Sequence, residues 1–164
     1  MGKPIGIAVF VLLLLPAAAA RAATPADCAG FAAKDAAPFL GVPAAQVTRH
    51  VEKVSPTLWV CSYAAGKAAP GVAFSIEVSA SARKAAEELE RYRDNLATAG
   101  EVAPFKGKLP QGAYSDIVGV GDEGVWTDVN GTFTVRKGHL TVQVSMPKAK
   151  LEQLKLAKAL LAKF

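Results

Sequence analysis

Residues 127–141 place Thr127, Thr134, Arg136, His139 and Thr141 in a stretch that alternates polar with apolar side chains. In extended chain, alternate residues share a face. A row of hydroxyls with one guanidinium and one imidazole could hold an anionic or polar ligand, with Arg136 supplying the charge. The simpler reading is a solvated antiparallel face, which commonly carries such residues, and it is the one the pattern favours.

The other chemistry-bearing residues are less organised. Gly119-Val120-Gly121-Asp122-Glu123-Gly124 invites a phosphate-loop or calcium reading. A dinucleotide loop needs a strand before it and a helix after it, and here a strand follows. An EF-hand needs oxygen ligands at alternating positions along its loop, which are missing. A turn with surface acids is expected, with weak calcium binding through Asp116 as the less favoured alternative. There are two histidines, His50 and His139, and no Gly-x-Ser-x-Gly elbow beside a serine. Carboxylates for acid–base work would come from Glu77, Asp116, Asp122, Glu123 or Asp128, and spacing selects no pair among them. No metal or other cofactor is called for.

These residues must be positioned by strands and helices. Asn130-Gly131 is a strong two-residue hairpin signal. A turn there pairs Trp126 with Val135 and Asp128 with Phe133. A second turn at Lys137-Gly138 pairs Val135 with Leu140, Phe133 with Val142 and Arg136 with His139. One face then collects Trp126, Phe133, Val135, Leu140, Val142 and Val144. The other collects Thr127, Thr132, Thr134, Arg136, His139, Thr141 and Gln143, with the three threonines of the candidate face in a row across neighbouring strands.

Earlier strands are expected over residues 49–55, 57–64 and 72–79, with Phe74, Ile76 and Val78 alternating against Ser75 and Glu77. A helix over 81–99 carries Ala82, Ala85, Leu89, Tyr92 and Leu96 at helical spacing and ends at Gly100. Residues 100–118 read as a linker. Strands over 124–129, 132–137 and 139–146 and a helix over 147–163 follow, the last expected to bury Leu151, Leu154, Ala157, Leu161 and Phe164 with its lysines in water. The order βββα occurs twice, over about 49–99 and 113–164, which implies a degenerate duplication. Near the start, Pro25 and Asp27 open a helical stretch in which Cys28, Phe31 and Ala32 are spaced to be buried, and residues 35–40 form a second one stopped by Gly41.

Residues 1–22 explain the positive mean hydropathy of +0.24. A basic start at Lys3, an apolar run over 5–15 and small residues up to Ala22 are the parts of a cleavable signal peptide. Eleven apolar residues are too few to span a bilayer, which takes about 20. The expected product, residues 23–164, is one exported domain in the periplasm or secreted medium, without a transmembrane segment. It has 17 basic and 14 acidic residues, a net +3, which is too weak an excess to imply nucleic acid. Cys28 and Cys61 then lie in an oxidising compartment, where a pair becomes a disulfide. Zinc and Cys-x-x-Cys redox chemistry need spacings that are missing.

At Cys28, Leu40-Gly41, Cys61-Ser62-Tyr63 and Gly119-Val120-Gly121-Asp122-Glu123-Gly124 the chain resembles a broad group of small exported bacterial proteins, many of them lipoproteins. The group has no assigned activity and contributes no functional residue. The resemblance implies the Cys28–Cys61 pairing and a two-layer sandwich. Here the first cysteine follows Pro25-Ala26-Asp27, which departs from a lipid-attachment site.

The expected protein is thus an α+β domain of mostly antiparallel sheet with packed helices. Its function would be that of a non-enzymatic module binding a protein, an envelope component or a small ligand. A hydrolase with a site hidden by sequence order, or a secreted inhibitor, are the alternatives. Converging Asp, Glu or His in a concave pocket would favour the enzyme, and a flat threonine face the binder.

Overall fold

The computed structural model describes residues 25–67, 71–99, 114–128 and 130–164. The export segment read at residues 1–22 and most of the linker read at 100–118 lie outside them. A 3₁₀ turn, Pro25–Gly30, and helix α1, Ala33–Leu40, precede a first meander of β1 (Val47–Lys53), β2 (Leu58–Ala65) and β3 (Val72–Val78). Helix α2 spans Ala82–Ala99. Then come β4 (Tyr114–Asp116), β5 (Glu123–Thr127), β6 (Thr132–Lys137), β7 (Leu140–Ser145) and helix α3 (Lys150–Leu161).

All seven strands form one antiparallel sheet in the order β1-β2-β3-β7-β6-β5-β4. The expected α+β sandwich of antiparallel sheet and packed helices is what the chain forms. Each meander runs inward, so β3 and β7 meet at the centre, and the second half carries one strand more, β4 at the edge. Their helices do not match: α3 covers one face of the sheet and α2 the other.

The apolar face holds Cys61, Tyr63, Phe74, Ile76, Val142, Val144, Phe133 and Val135, all buried. Phe31 sets its ring edge-on to Tyr63 at 5.5 Å and to Phe74 at 5.6 Å. The Tyr63 hydroxyl donates to the Phe31 carbonyl at 2.5 Å, and burial pushes its pKa up to about 12. Each such ring contributes roughly 2–3 kcal/mol by leaving water. Cys28 and Cys61 form a fully buried disulfide with Cα atoms 6.1 Å apart. It ties the 3₁₀ turn to the middle of β2.

At the other end of this face lies α3, turned relative to expectation. Its buried residues are Gln153, Leu156, Ala157, Leu160 and Leu161, while Leu151 is 60% exposed. The cause is Gln153, whose amide nitrogen donates to the carbonyls of Gly131, Met146 and Lys148 at 2.7, 3.0 and 3.2 Å. Its two amide hydrogens are shared among the three carbonyls while the buried Oε1 has no partner among the described residues, and this anchoring places Gln153 in the buried stripe.

Both hairpins of the second meander are shifted by two residues from expectation. Thr127 pairs with Thr132, leaving four residues between them, and Trp126 pairs with Phe133. Lys137 pairs with Leu140, so Gly138 and His139 form the turn and Val135 faces Val142. Gly138 takes φ 59°, as a leading glycine does in a two-residue hairpin. A shift of two leaves every side chain on its original face, so the expected faces stand although the pairs do not. Strand β4 was expected as linker; three residues show no period to read.

Candidate functional site

The sheet face opposite the disulfide is polar, and α2 roofs part of it. Ala85 and Leu89 are buried beneath the helix. Its cover is incomplete, and a groove of about 290 Å³ remains between helix and sheet. Ser75 and Glu77 of β3, Thr141 and Gln143 of β7 and Thr134 of β6 form the floor. Glu88, Leu89, Arg91, Tyr92 and Asn95 of α2 form the wall. Helical spacing explains the wall: 88, 92 and 95 fall on one stripe. The expected solvated face is therefore a groove floor. Sheet periodicity shows which residues share a face and carries no information about which helix returns to cover it.

Two features of the groove bear on chemistry. The Thr134 hydroxyl, in a residue only 5% exposed, accepts from the Gln143 amide at 3.3 Å and has no acceptor of its own among the described residues. The side chain of Glu77, an exposed residue between Leu58 and Thr141 in the sheet, forms no hydrogen bond or ion pair among the described residues. Burial, and then the charge of Glu88, push its carboxyl above the usual range. Glu88 is held, since the Ser79 hydroxyl donates to it at 2.5 Å.

Beside the groove lies an ion cluster with its charges spent. Glu123 accepts from Arg136 through Nε at 3.2 Å and Nη2 at 2.7 Å, and from Arg93 through Nη1 at 3.0 Å. Both arginine side chains are nearly buried. Hydrogen bonds from Arg136 and then Arg93 hold the Glu123 carboxyl below its usual range. Arg93 also pairs with Asp116 and Glu90, and Arg136 with Asp122. Asp122 in turn accepts from the Gly138 amide at 2.7 Å. The cluster fastens α2, β4, β5 and the β6–β7 turn together. The three acids of the calcium reading are thus committed to guanidinium groups, and no group of three or more His, Cys, Asp or Glu among the described residues could hold a metal ion.

Of the five residues expected to form one face, Thr134 and Thr141 line the groove. Thr127 is fully buried, and its hydroxyl donates to Asn130. Arg136 faces Thr141 and is neutralised by its acids. His139 is exposed in the turn. The three threonines step diagonally, because Thr127 pairs with Thr132, Thr134 with Gln143 and Thr141 with Arg136. Sequence reasoning missed Glu88, Tyr92 and Asn95 and took Glu77 as one acid among five. The alternation of Ser75 and Glu77 against Phe74 and Ile76 carried the signal, once β3 is paired with β7.

Comparison with known proteins finds no protein-family model and no curated protein that matches the chain.

Proposed function

We propose that this chain is an exported, non-enzymatic binding module and that the groove under α2 holds its ligand. The carrying observation is that the groove floor presents two polar groups left open among the described residues, the Thr134 hydroxyl proton and the Glu77 carboxyl, on a sheet braced by the neighbouring ion cluster. Pockets with a few converging polar groups on a preformed scaffold are where small ligands bind. Export is supported by residues 1–22 and by the Cys28–Cys61 bond, since disulfides persist in oxidising compartments such as the periplasm or the secreted medium. Among the described residues no helix is long and apolar enough to cross a membrane.

The test is titration of the oxidised protein, labelled with ¹⁵N, with sugars, amines and amino acids. Amide shifts should cluster on residues 75, 77, 134, 141 and 143. Thr134→Val keeps the shape and removes the hydroxyl, and it should weaken binding about tenfold. Shifts that cluster elsewhere would overturn the groove as the site.

One observation favours a second reading, a hydrolase: the concave groove holds two carboxylates, and the Glu77 carboxyl is pushed above its usual range by burial and by Glu88. A general acid must also be held in place, and Glu77 is held by no group among the described residues. Turnover of chromogenic glycosides or esters, abolished by both Glu77→Gln and Glu88→Gln, would replace the binding reading with this one.

A further inference from the structure

We propose that the groove's ligand is a small primary amine bearing hydroxyl groups, of the amino-sugar class. The inference rests on the groove being the ligand site and adds what fills it. Glu77 on the floor and Glu88 on the wall line the same groove, and the charge of Glu88 adds to burial in pushing the Glu77 carboxyl up. Among the described residues neither forms an ion pair, and Arg91, which also lines the groove, is paired with neither. A ligand ammonium placed there would pair with Glu77 and relieve the repulsion, and it offers three donors to two acceptor groups.

Away from the glutamates the floor changes character. Thr134 has a hydroxyl proton to donate, and Thr141, Ser75 and Gln143 supply further hydroxyl and amide groups. Neutral donor-acceptor groups of this kind suit ligand hydroxyls, which both give and accept. The floor offers no guanidinium to a ligand carboxylate: Arg136 is committed to Asp122 and Glu123, and Arg91 lies on the helix wall. The volume, about 290 Å³, lies at the small end of ligand pockets and fits one sugar ring better than a chain of them.

The probes are glucosamine, glucose and N-acetylglucosamine, titrated at pH 6.5 and low salt into the ¹⁵N-labelled, oxidised protein and its Glu77→Gln variant. Glucosamine should bind at least tenfold tighter than the other two. Glu77→Gln should lower glucosamine affinity about tenfold and glucose affinity clearly less, with an otherwise unaltered amide spectrum showing that the variant is folded. Equal affinity for the three sugars, or glucosamine binding that ignores Glu77→Gln, would overturn the amine class while leaving the groove as the site. Absence of binding by all three also overturns the amino-sugar proposal. Glucosamine shifts that map away from residues 75, 77, 134, 141 and 143 would overturn both readings together.

Discussion

Glu77 and Glu123 lie on the same face of the sheet, yet their surroundings push them in opposite directions. Two guanidinium groups favour ionised Glu123, so its contribution to stability is fully present above the ordinary carboxylate range. It is lost as pH falls through the lower folded value. Glu123→Gln should therefore cost about 2 kcal/mol at pH 7, the worth of charge-assisted hydrogen bonds at a partly exposed site. The gap between wild type and variant in urea denaturation should close below the ordinary carboxylate range. Glu77 has the reverse sign. Ionisation is disfavoured in the fold by burial and by Glu88, so it takes stability away as pH rises through the raised folded value. Glu77→Gln should raise the unfolding free energy from urea denaturation at pH 7, by only about 0.3 kcal/mol because solvent screens the group. A residue that costs stability in the free protein and is needed for amine binding would be a functional residue in the stability trade-off sense.

Among the elements, faces were easier to read than partners. The period of two fixed which side chains of β6 and β7 point together, and a register error of two residues left that result intact. The same error moved Arg136 from His139 to Thr141 and turned a row of threonines into a diagonal, because turn length is set by loop backbone geometry. Thr134 and Thr141 were therefore legible as site residues, while Glu88 and Asn95 were not: helical period shows which side of α2 is apolar and is silent about the sheet face it meets. The rotation of α3 was hidden in Gln153, a polar residue buried for the sake of loop carbonyls. One turn tests how tightly these elements are locked. Gly121 has φ +63°, and a Cβ there would lie 2.3 Å from the Arg136 carbonyl oxygen and 2.9 Å from Val135 Cγ2. Gly138 has a similar φ of +59° but nothing within 4 Å of the added atom. Gly138→Ala should thus cost only the left-handed strain, roughly 1–2 kcal/mol. Gly121→Ala should cost roughly 3 kcal/mol, since backbone must also move. Equal thermal shifts for the two would mean that the 119–124 turn is not held against β6.

Across the whole molecule, the sheet separates what stabilises the fold from what is proposed to bind. Cys61 shares its face with Phe74 and Phe133, whereas Ser75, Thr134 and Thr141 point to the other side. The disulfide joins residues 33 apart in sequence, and such a cross-link stabilises by roughly 3–4 kcal/mol in the chain-entropy model. The double variant Cys28→Ser, Cys61→Ser should lose about that much in urea denaturation, and it should lose protection of the Phe31 to Ala36 amides first, because the bond is what fastens that segment to β2. The groove takes its rigidity from a different source, the Arg93–Glu123–Arg136 cluster and the central β3–β7 pair. Below its own melting temperature the double variant should therefore bind any groove ligand within about twofold of wild type, whereas Glu123→Gln, a milder lesion in stability, should weaken binding more. If removing the disulfide weakened binding as strongly as Glu123→Gln, the two faces would be coupled through the sheet, and the groove could no longer be treated as a site independent of the core behind it.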